Sequence, residues 1–123
     1  MIKFSDDFYF GSASSATQSE GAIDVGNKGE NIWDYWFKTE PHRFHNRIGT
    51  YSTSTFYENY KSDIKLMKET GHNSFRMSIS WSRMFKNGYG EVNKEAVQFY
   101  NNVIDELIKN GIEPFVNLFH FDM

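Results

Sequence analysis

Twice along this chain an amphipathic helix stops at a glycine and gives way at once to an apolar strand. That repeated unit restricts the fold more than any other feature. The first helix follows Ser54, which reads as its N-cap, and carries Phe56, Tyr60, Ile64 and Met67 at helical spacing up to Gly71. A strand over 73–79 comes next, followed by a turn over 80–84. The second helix begins near Asn93, lines up Ala96, Tyr100, Val103 and Leu107 on one face, and stops at Gly111 before a strand over 112–119. Upstream, residues 8–13 read as a short buried strand. The order strand, loop, helix, strand, helix, strand makes two successive βαβ units, and right-handed crossovers place the three strands parallel and side by side. A helix of about 17 residues spans about 25 Å and a strand of about 8 residues about 26 Å, the match expected where a helix layer backs a sheet.

Three parallel strands leave two unpaired edges, whereas parallel sheets are normally covered on both faces. The helices here cover one face only, as in a barrel wall. The fold class expected is therefore α/β, a (β/α)8 barrel of which this chain supplies the first three strands and two main helices. Residues 1–123 are read as the N-terminal part of one such domain, incomplete by itself. A small doubly wound domain would need a glycine-rich turn after the first strand, and Gly11 alone does not make one. Between the first strand and the first long helix lies a Gly- and Asn-rich excursion over 24–53 with a short helix over 32–37. Long ordered loops of this kind are usually functional.

Composition narrows the partners. A net charge of −3 and a pI near 5.8 speak against a nucleic-acid partner held by phosphate contacts, and the stretch His42 to Arg47 reads as a solvated loop. No stretch approaches the ~20 apolar residues of a membrane span, so no membrane partner is expected. The N-terminal region carries acids where a signal peptide needs an apolar run, and there is no cysteine; a cytoplasmic setting is expected. Open sheet edges lead us to expect self-association of an unclosed barrel. Aromatic residues make up 18% of the chain, enough to serve both a core and the wall of a ligand pocket.

In a barrel the site is built at the C-terminal ends of the strands. Gln18 and Glu20 follow the first strand. Gln18 offers a donor and an acceptor on one arm, suited either to adjacent sugar hydroxyls or to nearby backbone; Glu20, before Gly21, suits catalysis or the satisfaction of backbone donors. Arg76 sits among Phe75, Met77 and Ile79 on the second strand. A guanidinium there needs a partner, expected to be a carboxylate at the same barrel end: a catalytic one, or Glu20 or Asp122 in a structural pair. Arg83 reads as an anchor for the loop after that strand. The third strand runs into His120-Phe121-Asp122, and in a continuing strand His120 and Asp122 share a face. His72 closes a helix at the opposite end, so no metal site is expected. None of these acids forms an assignable pair at the ~5–9 Å of glycosidase chemistry.

The segments running from Phe10 to Ala22, Asn31-Ile32-Trp33-Asp34, Tyr57 to Met67, Phe75 to Arg83, Gly90-Glu91-Val92-Asn93 and His120-Phe121-Asp122 together, in order and spacing, closely resemble family 1 glycoside hydrolases. The resemblance covers essentially the whole chain. It implies a (β/α)8 barrel, a retaining β-glycosidase mechanism and no cofactor. By this likeness Gln18 and His120 bind sugar hydroxyls, and Arg76 steadies the nucleophilic carboxylate. Position 121 is commonly Trp in the plain β-glucosidases of the family, so Phe121, as a substrate-binding residue, resembles the 6-phospho-β-glycosidase branch, as does Met123. Lys86 replaces a common Pro. The acid/base Glu of an Asn-Glu-Pro motif and the nucleophile Glu of a Glu-Asn-Gly motif belong after strands four and seven; neither motif occurs here. The expected function is thus the N-terminal portion of a 6-phospho-β-glucosidase, inactive alone. The alternatives are a glucosidase or galactosidase of unphosphorylated sugars, and a non-catalytic, assembly-prone fragment with at most weak sugar binding.

Overall fold

A computed structural model describes residues 2–122; Met123, one of the residues read above as pointing to phosphorylated substrates, lies outside them. Three parallel strands, β1 (Gly11–Ala13), β2 (Ser74–Ser78) and β3 (Glu113–Asn117), stand in the order β1-β2-β3. The register pairs Ala13 with Arg76 and Arg76 with Phe115. Two long helices connect them, α3 (Phe56–Glu69) and α5 (Lys94–Lys109). Short helices α1 (Ala16–Ser19) and α4 (Trp81–Met84) follow β1 and β2, and α2 (Ile32–Thr39) lies in the excursion, which continues through 3-10 turns at Pro41–Arg43 and His45–Arg47.

Alternation along the strands separates two environments. Phe75 and Met77 of β2 point to the helices and join Phe56, Ile64, Phe99, Tyr100, Val103, Leu107 and Ile112 in one buried core. Arg76 and its register partner Phe115 face the other way, and Phe115 is 44% exposed. This corrects the expectation of a buried first strand: only β2, flanked on both sides, is buried along most of its length. Phe8, Tyr9 and Phe10, expected in the first strand, are exposed and precede it.

Both glycine stops hold. Gly71 (φ 86°) and Gly111 (φ 70°) take the left-handed conformation that ends each helix without a Cβ clash. The start of α3 is corrected by one residue. Thr55, not Ser54, is the N-cap, at φ 56°, and its side chain makes no cap bond. Its backbone N–H donates instead to Thr53 Oγ1 at 3.0 Å. Asn93 caps α5 as expected, its Oδ1 accepting from Glu95 N at 3.1 Å. The same side chain donates to Gly26 O at 2.6 Å and Arg83 O at 3.0 Å, tying the helix to two loops. Asn93→Ala removes all three bonds, and we expect a loss of about 2 kcal/mol in urea unfolding of the protein. No helix among the described residues is long and apolar enough to cross a membrane.

Candidate functional site

At the C-terminal ends of the strands lies a cavity of about 360 Å³ lined by Ser15, Gln18, Trp33, Phe44, Thr50, His120 and Phe121, among others. Its size falls in the range of small-molecule sites. The three residues singled out as substrate-binding, Gln18, His120 and Phe121, come together here from the ends of β1 and β3. Gln18 sits on α1, where its Oε1 accepts a hydrogen bond from Ser15 Oγ at 2.8 Å, fixing the plane of the amide. His120 is half-buried, and its Nδ1 has no partner among the described residues. Phe121 is 70% exposed at the rim, with its ring centroid 5.3 Å from that of His120.

His120 and Asp122 do not share a face, contrary to expectation. Strand pairing ends at Asn117, and Phe121 adopts φ 58°, which turns the chain between them. His120 borders the first cavity, whereas Asp122 is buried and borders a second one beside Lys28, Ser82 and Lys86.

Arg76 is the central residue of β2, half-buried on the face opposite Phe75 and Met77. The expected carboxylate partner is not found among the described residues: Arg76 Nε donates to Asn117 Oδ1 at 2.9 Å, from the neighbouring strand. Glu20 and Asp122 are both engaged elsewhere. Glu20 is buried, with Oε2 accepting from Arg83 Nε at 3.0 Å and Oε1 from the Tyr100 hydroxyl at 2.7 Å. Arg83 directs three further donors to the carbonyls of Val25, Gly21 and Ala22 at 3.1–3.3 Å. Burial pushes the Glu20 carboxyl above its ordinary range while Arg83 and Tyr100 oppose that rise. Burial and the Glu20 charge push the Tyr100 hydroxyl well up, so it stays protonated and donating. Sealed in the wall, Glu20 is a structural acid that ties the C-terminal end of α1 to Arg83 and Tyr100. Arg83 is the loop anchor the sequence suggested.

Sequence reasoning left five residues of the excursion without a role. Trp33 walls the cavity and donates its indole N–H to Phe121 O at 2.8 Å. Asn31 caps α2 in a reciprocal box: its Oδ1 accepts from Asp34 N at 2.9 Å and its N–H donates to Asp34 Oδ2 at 3.2 Å. Asp34 also pairs with Lys28 Nζ at 2.6 Å, buried on both sides, and accepts from the Thr50 hydroxyl. The Asn31…Asp34 spacing ahead of an aromatic run was the available signal for that cap.

Comparison with known proteins agrees with this geometry. Residues 1–123 match the profile of glycosyl hydrolase family 1. The chain is 69% identical over 123 residues to the 6-phospho-beta-glucosidase GmuD of Bacillus subtilis (strain 168), covering 100% of the chain and 26% of that protein. It is 48% identical over 120 residues to the putative beta-glucosidase 41 of Arabidopsis thaliana, covering 98% and 22%. Among solved structures, aphid myrosinase superposes with a TM-score of 0.95 at 36% identity, over 99% of this chain and 27% of that one. The chain thus spans about a quarter of the length of the relatives it matches, and its sheet corresponds to the opening strands of the family's barrel.

Proposed function

The chain belongs to glycosyl hydrolase family 1, and from that premise we propose that it forms the opening quarter of a retaining 6-phospho-β-glucosidase. The observation that carries the phosphorylated substrate is the 69% identity to a 6-phospho-beta-glucosidase over all 123 residues. Phe121 at the cavity rim supports the same reading. Gln18 and His120 hydrogen-bond the hydroxyls of the glucosyl ring, and Phe121 packs against its apolar side. Arg76 steadies the carboxylate that attacks the anomeric carbon. Two glutamates from parts of the barrel beyond these residues act as nucleophile and as acid/base in a double displacement, with inverting attack at each step and net retention. No cofactor enters this chemistry. The lack of cysteine fits a cytoplasmic setting, where phosphorylated sugars are retained.

The test is kinetic, with the whole enzyme assayed on 4-nitrophenyl β-glucoside and on its 6-phosphate. We expect kcat/KM at least about 100-fold higher for the phosphorylated substrate, since paired recognition of a dianion contributes several kcal/mol. Equal or better use of the plain glucoside would overturn the assignment.

A specific observation also favours a second statement, about these residues expressed alone. Tyr9 and Phe115, whose rings meet edge-on at 5.2 Å, are 55% and 44% exposed beside the sheet. Residues 1–123 by themselves are therefore inactive and associate through that side. A monodisperse monomer in sedimentation would count against it.

A further inference from the structure

Phe121 occupies a conformation that a bulky residue does not choose. Its φ of 58° is left-handed and costs of order 1–2 kcal/mol unless the surroundings enforce it. Two contacts hold it, and both come from the start of α2. Trp33 Nε1 donates to the Phe121 carbonyl at 2.8 Å. One residue on, Asn31 Nδ2 donates to Asp122 Oδ1 at 2.6 Å. Asp122 is 2% exposed, and its other oxygen, Oδ2, has no partner among the described residues. Asn31 therefore supplies the side-chain hydrogen bond that holds this buried carboxylate in place, and removing it leaves a charge stranded in the wall.

Asn31 is itself immobilised. Both ends of its amide are in use, one on Asp122 and one on the Asp34 backbone, and Asp34 is pinned by Lys28. Thr50 hangs on the same Asp34 and also lines the cavity. We propose that Asn31, acting through Asp122, is a positioning residue that sets the place of His120 and Phe121 in the substrate cavity. This rests on the glycosidase reading above for its kinetic consequence, and on the hydrogen-bond geometry alone for its effect on stability.

Capping and positioning separate by choice of substitution. Serine and aspartate at position 31 both keep an N-cap for α2. Serine loses the reach to Asp122, and aspartate puts a second carboxylate against it. In the whole enzyme, Asn31→Asp should lower kcat/KM about 10- to 100-fold on 4-nitrophenyl β-glucoside 6-phosphate, mostly through KM, because misplacement of contact residues by an ångström has that effect. Asn31→Ser should be intermediate. The swap Asn31→Asp with Asp122→Asn restores the donor–acceptor pair with reversed polarity and should recover most of the lost KM and of the lowered Tm. If Asn31→Asp and Asn31→Ser both behave as wild type, or if the swap fails to rescue either quantity, Asn31 is only a cap and the proposal is wrong. Tm is read without substrate, so rescue of Tm in an enzyme that hydrolyses neither glucoside would uphold the Asn31–Asp122 contact while overturning the glycosidase reading.

Discussion

Arg83→Met should cost the whole protein about 3–5 kcal/mol of unfolding free energy, the largest stability effect of any single change at the site, because it strands a buried partner charge. Arg83 has no solvent exposure at all. Its guanidinium binds Glu20, caps three carbonyls of the loop after α1, and stacks 4.2 Å from the Tyr57 ring centroid. Methionine fills much of the volume but satisfies none of these acceptors. Lysine would fare little better, since a single ammonium cannot reproduce a fork that serves a carboxylate and three carbonyls in different directions. The loss should also depend on pH in a definite sense. Without Arg83, burial acts on Glu20 less opposed, and its folded-state pKa rises further above the unfolded value. The folded variant then holds a proton that the unfolded chain releases, so the variant is most stable near or below the ordinary carboxyl range, about pH 4, and weakens as pH climbs toward the raised value. Urea unfolding at about pH 5 and about pH 8 should show the larger deficit at the higher pH. A deficit below about 1 kcal/mol, the scale of an exposed pair, would show that Arg83 is not the keystone the geometry makes it.

The same arginine shows what could be read from the chain and what could not. Helix faces and glycine stops are local, set by spacing within a dozen residues, and α3 and α5 follow the sequence to within a residue or two. Parallel order followed from connectivity, and the clustering of Gln18 and His120 from the rule that barrel sites form at strand ends, whereas Phe121 was expected only from the family resemblance. Partners of charged groups are a different matter. Glu20 and Arg83 are 63 residues apart, and Tyr100 a further 17; nothing local distinguishes Arg83 from Arg76 as the partner of Glu20. The sequence offered Arg76 a carboxylate because burial demands one, but Arg76 is the one residue of β2 that is only half-buried, and the Asn117 amide of the neighbouring strand takes its Nε. The left-handed turn at Phe121 was likewise hidden, because alternation predicts faces only while strand pairing lasts. Thr55 moved the cap of α3 for a related reason: Thr53 claims its backbone N–H, and the chain enters the helix from a left-handed residue.

Arg76 carries the second large expectation, this time on rate. Arg76→Met in the whole enzyme should lower kcat by about 10²–10³, the loss typical when one oriented donor to a developing or reacting charge is removed. Arg76 is the central residue of β2, with Nε committed to Asn117 at 2.9 Å and no carboxylate partner among the described residues. A guanidinium facing the inside of a closed barrel is tolerated only when paired. On the proposed reading its partner is the nucleophilic glutamate contributed from elsewhere in the barrel. If so, Arg76 does more than hold structure: it keeps that carboxylate ionised, and its loss raises the nucleophile's pKa. The acid limb of the kcat/KM profile should then move to higher pH in Arg76→Met and return toward wild type in Arg76→Lys, which keeps the charge but not the fork. Asn117→Ala provides the contrast, since it frees Nε while leaving the charge in place. It should lower kcat less and leave the acid limb where it was. An Arg76→Met enzyme with a wild-type acid limb would separate Arg76 from the nucleophile and leave it a strand-to-strand tie, because loss of a purely structural contact has no reason to move the protonation of a group it does not touch.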